Sequence, residues 1–505
     1  MPSPAKLTKL AQQGHGFAVF PEARIFDAPG GKSLQHLLFG DYITPPKNST
    51  GKAYLKWAGS QLQQYKDETW IKVRSRQEDG WMRLDDIQPD RVLEVNFVDI
   101  GQGDGCHLVT PTDEHFIIDA GEGDNMYRFL RWRFNLAKAG AALPVFNAVI
   151  SHPDEDHFKG FMPLLATPPA GQQRQIRFSK VYTNGIIQRA GSVLGESKTI
   201  NGIKYLTDFI DTPKKLKTLL DSEEKKSNYQ KLLSGALTLS PNIVIQAAAK
   251  EMGKDNILYR DKKLKLEVLA PVVETPEGKK ALRWFSDDVG KTKNGHSVVL
   301  MAHIGKIKIL LGGDLNSKAA DYLMSQYSGK DIELLKKQIA QAKPQDADHL
   351  NAELREVVNS CRAVFQAEIA KSCHHGSNDI TNEFLQSINA IATVISSGDE
   401  ESFCHPRPET LGAIGKYGRG DRPLIYSTEL ARSSPEFINI KDIRSDQKKQ
   451  RVVATYGLIT VRTDGERAIL AQKLEKPRSS FGLITKWQID KLIWNDERGE
   501  FISKK

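Results

Sequence analysis

Only four cysteines occur in 505 residues, at Cys106, Cys361, Cys373 and Cys404, and none are paired as Cys-x-x-Cys. That scarcity argues against a disulfide framework and fits a reducing compartment. No uninterrupted apolar run approaches the roughly 18 residues that cross a bilayer as a helix. The opening Met1-Pro2-Ser3-Pro4-Ala5-Lys6 lacks the charged start and apolar centre of a secretion signal. The expected location is cytoplasmic, with no membrane partner.

What is present describes a soluble globular chain. Hydrophobic residues make up 39% and charged residues 26%, enough apolar material for a sizeable core. The length implies roughly two to four domains. A net charge of +9 favours polyanionic partners such as nucleic acid, since neutralising phosphates releases counterions. Charge alone is a weak cue, because many basic proteins bind no nucleic acid.

Residues 1–14 read as a flexible leader. From 15 to 90, short β-like runs alternate with turns, as in Phe17-Ala18-Val19-Phe20, Asp27-Ala28-Pro29-Gly30-Gly31 and Trp70-Ile71-Lys72-Val73. This spacing suggests a small barrel or sandwich. Residues 91–475 form the main domain, interrupted by expected helical insertions at about 170–262 and 317–365. Residues 476–505 read as a C-terminal helical extension.

Potential metal ligands are densest at Ser151-His152-Pro153-Asp154-Glu155-Asp156-His157, directly after the apolar run Phe146 to Ile150. That run reads as a buried strand, so the ligands fall on a turn at a strand end, where α/β folds build sites. Such a turn can aim His152 and Asp154 at one metal and Asp156 and His157 at a neighbour. Other strand ends repeat the pattern. Leu93 to Ile100 runs into Gly101-Gln102-Gly103-Asp104-Gly105, and Phe116-Ile117-Ile118 into Asp119-Ala120-Gly121. The strand Lys306 to Leu311 ends in Gly312-Gly313-Asp314, Ala370-Lys371-Ser372-Cys373 leads to His374-His375-Gly376-Ser377, and Phe403-Cys404-His405-Pro406 follows. His303 sits within a strand and reads as structural.

Together these motifs, in this order, resemble the metallo-β-lactamase superfamily. Asp154 replaces the second His of His-x-His-x-Asp-His, which resembles the branch typified by the C-terminal domain of ComEC competence proteins. Asn294 and Ser297 resemble that branch's Asn-Asn-x-Ser. Ala23-Arg24-Ile25-Phe26, Gly40-Asp41-Tyr42, Trp70 and Gly80-Trp81 loosely resemble bacterial SH3-like domains.

The resemblance implies an α/β fold: a metallo-β-lactamase αββα sandwich beside a small N-terminal all-β (SH3-like barrel) domain. It further implies that His152, Asp154, Asp156, His157, Asp314 and His374 hold two divalent ions, with Asp314 bridging them. Only one of two neighbours in an extended segment can ligate, and His374 is favoured, leaving His375 to face substrate. Asp119 is implied to orient a ligand His, and Asp99 and Asp104 to lie beneath the site or cap a turn. Asn294 and Ser297 support the first metal, whose third His is missing. His405 is a candidate phosphate contact or general acid, with a turn-stabilising role as its rival.

The oxygen ligand Asp154 makes Mn²⁺ as credible as Zn²⁺. The function expected is a phosphodiester hydrolase, foremost a DNA nuclease using water activated by two metals, with Asp156, His375 and His405 at the reaction centre. The competing readings are a phosphodiesterase for a cyclic nucleotide or phosphocholine ester, and a non-catalytic metal-stabilised nucleic-acid-binding module. A protein partner through the SH3-like domain completes the expectations.

Overall fold

The computed structural model describes residues 4–47, 57, 61–76, 78–136, 143–166, 176–398, 404–428, 437–438, 451–452 and 458–504. The chain divides into two compact units. One comprises Met1–Asn96, Val109–Asp113 and Ala431–Lys505; the other comprises Phe97–Leu108 and Glu114–Leu430.

The first unit is mainly β. A five-stranded sheet runs in the order Ser33–Leu38, Glu22–Phe26, Glu78–Arg83, Glu68–Ser75, Leu62–Tyr65, and a three-stranded sheet joins Tyr42–Ile43, Gly16–Ala18 and Ile87–Gln88. Ile25, Leu37, Ile71, Val73 and Met82 fill the core. Trp70 is buried edge-on against Phe26, which is a packing role. The expected flexible leader is instead the helix Pro4–Gln13, because Leu7 and Leu10 share a face and Leu10 is fully buried in that core.

The expected C-terminal helix is also corrected. Residues from Leu458 onward form the antiparallel strands Leu458–Thr463, Arg467–Ser480, Leu483–Asn495 and Glu500–Lys504. The antiparallel register, from Arg467 opposite Ile493 to Lys473 opposite Trp487, makes this a sheet, with Trp487, Asp490 and Leu492 buried. Arg462 on the first of these strands is buried and donates to Asp41 Oδ1 at 2.9 Å and to the Phe39 carbonyl at 3.1 Å. These strands fall in the unit of Met1–Asn96, whereas the expectation placed 458–475 in the main domain and 476–505 in an extension.

The second unit has helix–sheet–sheet–helix layering. Gly105–Val109, His115–Ala120, Val145–Val149, Arg177–Thr183 and Val244–Ala247 lie side by side in one sheet, and the last four are parallel. The other sheet has the order Ile257–Arg260, Leu264–Ala270, Val299–Ile304, Ile307–Leu311, Ile369–Lys371, Ala392–Ile395, Leu424–Ser427. Alternation along its strands sorts the two faces. Met301, Leu310 and Ala370 meet the helices Ser317–Ser328, Pro344–Phe365 and Asn382–Ile388. Leu311 and Lys371 face the opposite way, toward Ile118, Asp119 and Ser151 of the first sheet. Leu232, Leu233 and Ala236 of the helix Asn228–Leu239 cover the outside of that first sheet at Ala148, Ile150 and Val181. This is an αββα sandwich.

Two expected insertions look different in space. Arg177–Thr183 and Val244–Ala247, within 170–262, are strands of the first sheet, while Pro213–Ser222 and Asn228–Leu239 are two helices separated by a Ser227–Gln230 capping box. The segment 317–365 forms three helices, two of which pack directly on the second sheet. Among the described residues, no helix is long and apolar enough to cross a membrane.

Candidate metal centre

The turn after Val145–Val149 is built so that successive ligand residues diverge. Asp154 keeps an extended backbone at the start of a short helix, Glu155–Phe158, and its carbonyl accepts from His157 N at 3.0 Å. The helical step places Asp156 and His157 on the side facing the second sheet. Gly103 fixes the floor: at φ +100 it lies so close beneath Asp156 that a Cβ would sit 1.7 Å from the Asp156 carbonyl oxygen. Only glycine tolerates both conditions.

Four side chains from three parts of the chain converge here: Asp156, His157, Asp314 and His375. His157 Nε2 lies 3.2 Å from Asp314 Oδ2, 3.8 Å from Asp156 Oδ2 and 3.3 Å from His375 Nε2. His375 Nε2 lies 3.1 Å from Asp314 Oδ2 and 3.5 Å from Asp156 Oδ2. A tetrahedral ion with ligands at about 2.1 Å separates neighbouring donors by roughly 3.4 Å. The residues present fit a divalent cation, with two nitrogens and two carboxylates.

Each ring is held from behind. His157 Nδ1 is 2.9 Å from Asp119 Oδ2, whose other oxygen accepts from Ser151 N at 2.7 Å. His375 Nδ1 is 3.0 Å from the Ser396 carbonyl and 3.2 Å from Asp104 Oδ1. These contacts leave both Nε2 atoms aimed at the centre, the usual way a metal histidine is oriented. Asp314 N donates to Ser297 Oγ at 3.0 Å. Lys371 is buried in the strand Ile369–Lys371, paired with Asp104, donating to the Gly313 carbonyl at 3.0 Å and lying 3.9 Å from Asp314 Oδ1.

The protonation of this group follows from burial set against charge. Burial alone would strip His157 and His375 of their protons. Asp314, helped by Asp156 and Asp119 at His157 and by Asp104 at His375, instead holds both well above the ordinary histidine range. Burial would likewise keep Asp314 and Asp156 protonated, but the two histidines hold both carboxyls low. In this state two protons and two carboxylates balance, and a divalent cation replaces two protons without changing the charge.

The expected ligands divide. His374, the neighbour favoured as a ligand, stands outside the four-residue group, and His375 stands within it. Both residues have left-handed backbones, φ +48 and +52, within one tight turn, so the alternation of an extended segment does not apply. His374 Nδ1 is buried with no hydrogen-bond partner among the described residues, and its ring lies 5.9 Å from that of His405. His405 is half-buried; burial, then the charges of His375, His374 and Arg407, push it down to about 4, so it is neutral at pH 7.

His152 and Asp154 also lie outside the four. His152 Nδ1 is satisfied by Ser151 Oγ at 3.0 Å, while its Nε2 approaches Asp154 Oδ2 at 3.4 Å. Lys293 is paired with the other oxygen of Asp154. Asn294, with its amide turned to satisfy both ends, donates to Asp154 Oδ2 at 2.9 Å. Asp99 accepts from Gly101 N at 3.2 Å and so closes the glycine turn. His303 pairs with Glu267 at 2.9 Å, and His296 is bonded to the Arg283 carbonyl at 2.6 Å. Sequence reasoning missed Lys371 and Lys293. A lysine inside the apolar strand Ile369-Ala370-Lys371 is a usable signal for the first; nothing local marks the second.

No protein-family model and no curated protein sequence matches this chain. Among solved structures, the chain is similar to Tm1679, a metal-dependent hydrolase of the β-lactamase superfamily, with 12% identity, 66% of this chain and 95% of that chain covered, and a TM-score of 0.28. It is similar also to Zn(2+)-bound PqqB from Methylobacterium extorquens, with 7% identity, 65% and 85% covered, and a TM-score of 0.30. At such values the chemistry of this chain has to be read from its own residues.

Proposed function

We propose that this protein is a metal-dependent phosphodiester hydrolase acting on DNA. The observation that carries the proposal is the convergence of Asp156, His157, Asp314 and His375 on a point a divalent ion fits. When bound, such an ion supplies an activated water and neutralises charge on a phosphate. The surrounding residues have separable duties. Asp119 and the Ser396 carbonyl orient the histidine rings, and Lys371 neutralises Asp104 beside Asp314. His405, neutral at pH 7, can donate a hydrogen bond to a phosphate oxygen or accept a proton, and does not arrive charged as a general acid.

Two features support a phosphodiester over an amide. The whole chain carries +9, which favours a polyanionic substrate. The ComEC-like motifs point the same way, and the β unit built on Met1–Asn96 is suited to tethering a partner or substrate.

The test is cleavage of linear and circular DNA, single- and double-stranded, with Mn²⁺, Mg²⁺ or Zn²⁺, beside Asp156→Ala. Metal-dependent degradation lost in the variant is expected. Turnover of a short model diester alone would move the assignment to a small-substrate phosphodiesterase. Tight DNA binding without turnover in any metal would make the protein a binding module.

A further inference from the structure

A second ion beside the first would be held by His152 and Asp154 with Asp314 shared between the ions. His152 Nε2 and Asp314 Oδ1 are buried without hydrogen-bond partners among the described residues, but Asp154 is already taken. Neither His152 nor Asp154 belongs to any group of three or more His, Cys, Asp or Glu donors lying within 4.8 Å of one another among the described residues. Both oxygens of Asp154 are already engaged. Lys293 Nζ is paired with Oδ1 and donates to Gln188 Oε1 at 3.0 Å, while the Asn294 amide donates to Oδ2. The ammonium is placed deliberately by its scaffold: Lys293 lies in the short helix Val289–Gly295, and its side chain is only 11% exposed. A mobile surface lysine would not be so enclosed.

We infer that the centre holds one divalent ion, and that the Lys293 ammonium occupies the charge position a second ion would take. This inference rests on the metal-hydrolase reading above. Two physical points carry it. Asp154 is the only anionic donor of the pair, and Lys293 is already paired with it. A dication drawn to His152 Nε2 and Asp154 Oδ2 would meet the nearby ammonium as a like charge in a low-dielectric setting. At the Asp156, His157, Asp314 and His375 group the nearest ammonium, Lys371, is instead paired with Asp104 behind the site and lies 3.9 Å from Asp314 Oδ1, so all four donors stay open to an ion. The two positions are adjacent, with the His152 and His157 rings 4.1 Å apart, so charge at one is felt at the other.

The experiment is metal stoichiometry of the full chain, by titration calorimetry with Mn²⁺ and Zn²⁺ and by elemental analysis after gel filtration. Wild type is expected to bind one ion, Asp154→Asn to keep it, and Asp314→Ala to lose it. Lys293→Met, which removes the charge but keeps the bulk, is expected to admit a second, weaker ion; Lys293→Arg is expected to stay at one. Two ions in wild type would overturn the inference. So would loss of the single ion in Asp154→Asn, or a Lys293→Met protein that folds by thermal melting yet still binds only one. No ion in wild type at millimolar metal would sink the hydrolase reading itself, a separate failure from that of the inference.

Discussion

The two arms of a single turn behave differently, although the same short sequence supplies both. Asp156 and His157 look toward the second sheet, where Asp314 and His375 await them, and a shell of Asp119, Asp104 and Lys371 stands behind. A few residues earlier, Asp154 faces Lys293 and Asn294, and His152 faces Asp154 and the Ser151 and Ser297 hydroxyls. Ligand-type residues are necessary for a metal site, but what faces them decides whether a cation or an ammonium settles there. In the second arm an ammonium already faces the carboxylate; in the first, four donors face one another.

Breaking that comparison is direct. Asp314→Ala should lower single-turnover DNA cleavage by roughly 10³-fold or more, since several kcal/mol of metal-borne stabilisation goes with the ion. Asp154→Asn should cost at least about tenfold less than that. Equal losses would mean that the arms are equivalent. Next in size, Lys371→Met leaves Asp104 buried without its ion pair and should lower unfolding free energy by about 3–5 kcal/mol in a urea titration. An unchanged midpoint would show that the pair is dispensable.

A smaller effect sharpens the picture of the first arm. Asp119→Asn should weaken metal binding by about 10–100-fold, because His157 loses the carboxylate that orients it. The same arm predicts a pH dependence. His157 and His375 hold protons in the metal-free protein, and binding must expel them, so affinity falls as pH falls, by up to about tenfold per proton per pH unit. Calorimetry in buffers of different ionisation enthalpy measures the protons released. The smallest effect is expected at His303, whose part-exposed pair with Glu267 contributes at most about 1 kcal/mol; His303→Ala should leave metal content unchanged.

Much of the architecture was legible because alternating apolar runs ended in glycine and aspartate at the right places. Asp156, His157 and Asp314 each sit at such a local boundary, and all three converge in space. The expectation for His374 assumed an extended segment; the backbone is instead a tight left-handed turn, which puts His375 in the group of four. Lys293 and Lys371 meet their carboxylates across 139 and 267 residues of chain, and no local pattern encodes such an approach. The two strands flanking Thr463-Asp464-Gly465-Glu466 are legible from that turn, but Leu483–Asn495 reads as a helix near Trp487, because its buried positions, Trp487, Asp490 and Leu492, do not alternate strictly.

The most direct test of the account is the position of the ion, from a crystal of the Mn²⁺- or Zn²⁺-loaded protein with anomalous scattering recorded at the metal edge. The account predicts one peak within about 2.2 Å of His157 Nε2, His375 Nε2 and a carboxylate oxygen each of Asp156 and Asp314. A peak bound between His152 and Asp154, with Lys293 swung away, would contradict it.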